Sequence, residues 1–390
     1  MHRHFSLGIV KIKNFSKIPT EIKKISVLFL FFVLFISLVE PFIPIYLNNI
    51  VGGFAGTGII FSLFGIIMVF TDLPVSSFVG KFGSRFSMTI GMVVRTIAAI
   101  LYGLFPSIGG LISARLVDGL SVPFTWDAAR IKIRFLSPKK LHSESFSVFS
   151  IAVLIGGIIG TFVGTFVLMQ IGLINISILF YVSAIGTMIT AFFLKTTKKI
   201  NHREKVNIRK MLHFNKKIYE PMIFALPIVT ISTGLIMALP LFTESLGGSI
   251  FAIGMIAIFH RSPGLLQYKF AELGDKIGKK KIMFWLSVAS IPLFILLFFV
   301  TSLILLFPII FVQFLLLESM LVNNEGYSSD IFPVKHEDEL TGAFQMSKHV
   351  GMIIGPLSMG IIAQFFGLNT VFLLSGGITA ILAISLKLTN

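Results

Sequence analysis

The chain holds 390 residues, of which 55% are hydrophobic and only 13% charged, and its mean hydropathy is +0.93. Soluble domains carry about a quarter charged residues, so the composition excludes an ordinary soluble domain and points to the bilayer as solvent. The net charge of +16 does not indicate a nucleic-acid binder, because the cations are not spread over a soluble surface, and the lack of cysteine excludes disulfides, thiolate catalysis and cysteine-ligated metals.

Residues 1–25 form a basic tail with Lys11, Lys13, Lys17, Lys23 and Lys24 and without the continuous apolar core of a signal peptide. Span 1, near 26–47, carries Glu40 before Pro41 and Pro44. A carboxylate there takes up a proton in apolar surroundings and releases it beside a cation, which can couple proton movement to a change of shape; the alternative is a side chain reaching to the outer interface. Span 2, near 57–79, holds Asp72 and ends in GKFGSR, with Lys81, Gly83 and Arg85. Span 3, near 86–105, holds Arg95, a candidate partner for Asp72. Span 4, near 108–129, contains RLVDG at 115–119 and ends at Asp127. Arg115 and Asp118 stand one turn apart and can pair on one face. Glu40 and Arg115 each lie ~20 Å from the basic end of their spans, so they can share one level.

Span 5, near 146–169, repeats Gly156, Gly160 and Gly164, a small-residue face that permits close helix contact. Span 6, near 174–194, is followed by a basic linker at 195–220. Span 7 lies near 221–243. Span 8, near 251–274, places His260 and Arg261 beside Pro263 and Gly264, where the helix can break and meet an anionic group. It leads into AELGDKIGKK, with Asp275, Lys276, Gly278, Lys279 and Lys280. Span 9 lies near 282–301. Span 10, near 303–326, brings Gln313, Glu318, Asn323, Asn324 and Glu325, with Asp330 just beyond. Span 11, near 343–365, carries Gly351, Gly355 and Pro356, and span 12 lies near 370–387. Ionisable side chains in such spans are costly to insert, which makes each one a candidate site. No metal-ligand spacing or nucleophile arrangement appears, and no cofactor is implied.

Every lysine and arginine falls in the tail, in an even-numbered connection, within or beside a span, or at the C-terminal end. That asymmetry predicts cytoplasmic termini and a cytoplasmic linker. The two halves repeat. Gly83 faces Gly278, Gly156 faces Gly351 and Gly160 faces Gly355, each at an offset of 195 residues. Six spans per copy makes the repeat parallel, giving an all-α integral membrane fold of twelve helices in two six-helix bundles, 26–194 and 221–390.

On these residues the chain resembles the major facilitator superfamily of secondary transporters. Its signature loop, G-x-L-x-D-R-x-G-R-R, is matched by AELGDKIGKK, whereas the first-half copy has Gly80 in the Asp position. The resemblance implies that these loops form a cytoplasmic latch in which Asp275 meets a cation or helix end of the other half, with Asp127 or Asp330 as partners for Arg85 or Lys276. A plain cationic stop signal explains the lysines but not the glycine spacing. RLVDG is similar to the family's proton-coupling pattern R-x-x-Q-G, with Asp118 for Gln; a static Arg115–Asp118 pair is the alternative. GMIIGPLSMG resembles the glycine-proline pattern of the drug:proton exporters, found here in span 11. The expected function is proton-coupled export of a small organic solute by a monomer in the cell membrane. Proton-coupled uptake of a sugar or organic ion is the runner-up. A membrane enzyme or receptor, the reading from another class, lacks a catalytic set or a large extramembrane domain.

Overall fold

A computed structural model of the chain describes residues 5–6, 11–12, 15–138, 141–194, 216–333 and 336–389. Residues 195–215 of the linker, Lys139, Lys140 and residues 1–4, 7–10 and 13–14 of the basic tail lie outside the described residues. Within the tail, β1 (Phe5–Ser6) pairs antiparallel with β2 (Lys11–Ile12). Among the described residues all longer elements are helices, as the bilayer requires of a chain that must satisfy its own backbone groups in hydrocarbon.

Span 1 is α1 (Thr20–Ser37), a 3₁₀ turn at Glu40–Phe42 and α2 (Ile43–Val51). Spans 2 and 3 are α3 (Phe54–Phe82) and α4 (Ser84–Leu104). Span 4 is α5 (Ile108–Val122), a π-helical turn at Pro123–Asp127 and α6 (Ala128–Leu136). Spans 5 to 7 are α7 (His142–Ile171), α8 (Ile176–Phe193) and α9 (Glu220–Ser245). Span 8 is α10 (Ile250–Arg261), a 3₁₀ turn at Ser262–Leu265 and α11 (Gln267–Ile277). The last four are α12 (Lys279–Phe298), α13 (Leu303–Ile331), α14 (Glu337–Phe366) and α15 (Thr370–Leu388). Among the described residues eleven helical stretches are long and apolar enough to cross a membrane, and the interrupted α5–α6 span completes the set of twelve. The breaks follow chemistry: Pro41, Pro123 and Pro263 each withhold an amide hydrogen where a helix gives way to a 3₁₀ or π turn.

The chain packs as two compact units. In the first, α1 lies along α7 and α4 along α8; in the second, α9 lies along α14 and α12 along α15. The second unit also takes in Phe42–Val69, which the sequence division at the linker assigns wholly to the first half. The physical reason is a close approach. A Cβ at Gly360 of α14 would stand 2.6 Å from the Phe54 carbonyl oxygen and 2.9 Å from the Gly58 Cα, so the start of α3 is pressed against α14.

The repeat seen in the sequence recurs in the packing. In the first unit a Cβ at Gly156, Gly160 or Gly164 would lie 3.0, 2.9 and 2.7 Å from the carbonyl carbons of Leu30, Leu34 and Leu38. In the second unit Gly351 and Gly355 of α14 lie against the backbones of Leu226 and Thr230 of α9, and Pro356 follows within the same helix. One helix of each pair therefore sets glycines at four-residue spacing on the other's carbonyl row, the arrangement that lets apolar helices associate where no hydrophobic drive exists. Gly83 and Gly278 are equivalent in the same way. Each is the single residue between two helices, with φ of +90° and +100° respectively. That backbone region is open essentially to glycine alone, which explains why the short turns carry glycine at these positions.

Candidate functional site

Buried charge is concentrated at one place in the first unit. Residue Arg95 comes from α4, and Arg115 and Asp118 come from adjacent turns of α5; all three side chains are buried. Arg95 Nη1 stands 2.9 Å from Asp118 Oδ1, and Arg115 Nη1 stands 3.6 Å from Asp118 Oδ2. The expected Arg115–Asp118 pair is present. The expected partner of Arg95, Asp72, is replaced by Asp118, because the α4–α5 contact brings the latter carboxylate within reach. The Tyr102 hydroxyl of α4, fully buried and with its ring stacked on Phe180, faces the same three charges. The sequence reading missed Tyr102; its spacing of seven residues from Arg95 on one helix face was the available signal. Just beyond the triad lies the π turn, a form found in helices at functional sites. There Thr125 fills the space left by Gly91 of α4.

Glu40 occupies the 3₁₀ turn between α1 and α2, half-buried, and Ser37 Oγ lies 3.4 Å from its carboxylate. The interruption of span 1, where Pro41 withholds its amide, is thus located at this carboxylate.

The second unit has its own set of charges. Lys348 of α14 is buried and holds Glu325 of α13 at 2.8 Å from Nζ to Oε1. Glu318, two turns along α13, lies within Coulombic reach of both. The lysine was passed over in the sequence, although a cation inside an apolar run of span 11 was visible there. His260, at the end of α10, sets its ring 5.1 Å from that of Phe314 at a tilt of 45°, and Arg261 closes that helix before the 3₁₀ turn. Asn323, expected in a cavity, donates its amide to the carbonyls of Phe270 (3.1 Å) and Ser319 (2.8 Å) and so ties α11 to α13. Asn324 ties α13 to α9 through the Pro221 carbonyl at 2.8 Å. These asparagines add side-chain hydrogen bonds to helix carbonyls and so hold α11 and α9 to α13.

The charged turns carry corrections to the latch. Lys279 Nζ meets Asp330 Oδ2 at 2.7 Å and Asp275 Oδ1 at 3.2 Å. Both carboxylates and the lysine belong to the second unit, so this cation of Asp275 comes from its own half. The cation for Asp330 is Lys279, whereas Lys276 points outward and is exposed. The Gly278 turn is the reason: Lys279 opens α12 directly after it and reaches back to Asp275 in the last turn of α11 as well as across to Asp330 of α13. In the first half Asp127 lies 3.7 Å from Arg130, Lys81 sits 5.1 Å over the Phe82 ring, and Arg85 donates Nε to the Leu194 carbonyl at 3.1 Å.

That last contact has a counterpart at the repeat offset. Lys280 (85 plus 195) donates to the carbonyl of Thr389 (194 plus 195). Lys280 also meets Glu220 at 3.0 Å, and the Tyr327 hydroxyl donates to the same carboxylate. The position equivalent to Tyr327 is Lys132, whose fully buried side chain lies in the cationic helix α6, past the apolar stretch 108–129 of span 4, and feels the Glu21 carboxylate. Burial pushes Lys132 below the ordinary lysine value of 10.5, and Glu21 opposes that shift only in part. Between the lowered value and 10.5 the unfolded chain binds more protons than the folded one, so folding stability rises with pH across that window. Lys132→Met removes this slope. Thermal midpoints of purified protein from neutral pH to pH 10.5 should shift in favour of the wild type by a few degrees as pH rises. Parallel curves would contradict the assignment.

Among the described residues no three His, Asp or Glu side chains converge to hold a metal ion. The sequence profile of the Major Facilitator Superfamily matches residues 25–260 and again 221–389. An uncharacterised MFS-type transporter of Methanocaldococcus jannaschii is 23% identical over 347 residues, covering 86% of this chain and 89% of that protein. The multidrug resistance protein MdtG of Escherichia coli is 24% identical over 369 residues, covering 88% and 87%. Among solved structures, a bacterial homologue of the human lysosomal transporter Spinster, inward-facing and occupied, superposes with a TM-score of 0.76 at 14% identity, covering 94% of this chain and 95% of that one. The nucleoside transporter NupG gives 0.73 at 15% identity, covering 94% and 98%.

Proposed function

Because this chain belongs to the major facilitator superfamily, and is therefore a multi-pass membrane transporter and not an enzyme, we propose that it exports small amphipathic organic solutes in exchange for protons. The observation that carries this reading is Glu40, a carboxylate set in a helix break within an apolar span. At a break, backbone carbonyls and amides freed from the helix offer polar partners, so the carboxyl can change its surroundings and protonation as the span rearranges. The Arg95–Asp118–Arg115 centre supplies fixed charge in the same unit, and Lys348 with Glu325 and Glu318 supplies it in the other. Export is favoured over uptake because relatives matching most of the chain are named multidrug resistance proteins. We place both termini on the cytoplasmic side of the cell membrane by the distribution of lysine and arginine, with a monomer as the working unit.

The test is transport by purified protein in liposomes under an imposed pH gradient, across a library of amphipathic cations and neutral compounds. At least one compound should move against its gradient, and Glu40→Gln should abolish gradient-driven accumulation while solute exchange without a gradient persists. Accumulation unchanged by Glu40→Gln would remove this residue from the coupling. Failure of every compound to move would overturn the exporter reading itself.

A further inference from the structure

Outside the charge centres, the first unit carries a groove of about 610 Å³ between α1 and α8. Its walls are Val27, Phe31, Ile189 and Phe193, all exposed, and its floor is Leu28 and Thr190. One end is closed, because Phe35 of α1 lies directly on Gly186 of α8, where any side chain would collide with the ring. The other end opens between Lys23 and Lys24, and the ammonium of Lys23 is held 4.6 Å over the Phe15 ring.

The groove is thus apolar along its length and cationic at one mouth. From Lys24 to Phe35 the helix rises by eleven residues, ~16 Å, which matches the ~15 Å depth of one leaflet of a ~30 Å hydrocarbon core. A free inorganic anion would use the lysines and leave the apolar walls bare; a neutral lipid would use the walls and leave the lysines without a counter-charge. We propose that this groove is a binding site for one anionic phospholipid, its acyl chain laid between α1 and α8 and its phosphate headgroup at Lys23 and Lys24. The site is independent of the solute pathway and does not rest on the export reading.

Native mass spectrometry of the delipidated full-length protein, titrated with palmitoyl-oleoyl phosphatidylglycerol or phosphatidylcholine, tests the site. Phosphatidylglycerol should be retained at one copy per chain in preference to phosphatidylcholine. Neutralising both cations as Lys23→Gln with Lys24→Gln should weaken retention by about 30-fold, on the basis of the usual contribution of a lysine near an anionic headgroup. Val27→Trp, at an exposed position, fills the groove while keeping both lysines and should also displace the lipid. Equal retention of the two lipids, or retention unaffected by either variant, would overturn the site. So would a two-chain mass free of lipid that Val27→Trp dissociates, since a second copy would then occupy the face.

Discussion

Asp118→Asn is expected to destabilise the protein by about 3–5 kcal/mol, the usual cost of breaking a buried ion pair by removing one partner. Asp118 is the carboxylate between two buried guanidiniums, at 2.9 Å from Arg95 and 3.6 Å from Arg115. Asparagine keeps the shape and removes the charge, so the pair loses its Coulomb attraction while the desolvation of Arg95 persists. In lipid this matters more than at a soluble surface, because a bare arginine in mid-span costs ~2.5–3.5 kcal/mol on insertion scales. Arg115→Met leaves the shorter pair in place and should cost clearly less. The double variant Arg95→Met with Asp118→Asn should be less destabilised than the sum of the singles, by a coupling of about 0.5–3 kcal/mol. Monodisperse yield and thermal midpoint in detergent check both points. Additive single effects would show that Arg95 and Asp118 do not act as a pair.

Much of this architecture is legible from one-dimensional signals. Spans follow from runs of apolar residues, the break in span 8 follows from Pro263 and Gly264, and the glycine turns follow from the offset of 195 between Gly83 and Gly278. Pairings within one helix are also visible, since Arg115 and Asp118 are neighbours by helical periodicity alone. Pairings across helices are not. Arg95 with Asp118 and Lys279 with Asp330 depend on which helices lie together and how they are rotated. Hydropathy carries little of that information, because lipid-facing and protein-facing surfaces are both apolar. The same blindness hid Lys348, whose role becomes apparent only when α13 sets Glu325 against it. It also hid the packing of Phe42–Val69 with the second unit, which depends on Gly58 meeting Gly360.

Gly160→Leu is expected to eliminate folded protein, and the reason lies in the register of two helices. Along α7, Gly156, Gly160 and Gly164 fall opposite Leu30 and Leu34 of α1 and Leu38 at its C-terminal cap, a constant separation of 126 residues at each step. Each glycine hydrogen therefore rests on a main-chain carbonyl, which cannot swing aside as a flexible side chain can. Adding a single methyl in Gly160→Ala forces the helix axes apart locally and should cost about 1–3 kcal/mol, the range for overpacking. Leucine at the same place cannot be accommodated by a local shift, since three successive contacts share one rigid crossing. Gly377 provides the opposite case, because it lies on an exposed face of α15 where an added Cβ would meet nothing within 4 Å. Gly377→Ala should raise the thermal midpoint slightly, in line with a helix-propensity gain of up to about 1 kcal/mol. Size-exclusion profiles and thermal midpoints of the three variants distinguish the two effects. If Gly160→Leu gave a monodisperse protein of wild-type stability, the glycines would not be what holds α1 against α7.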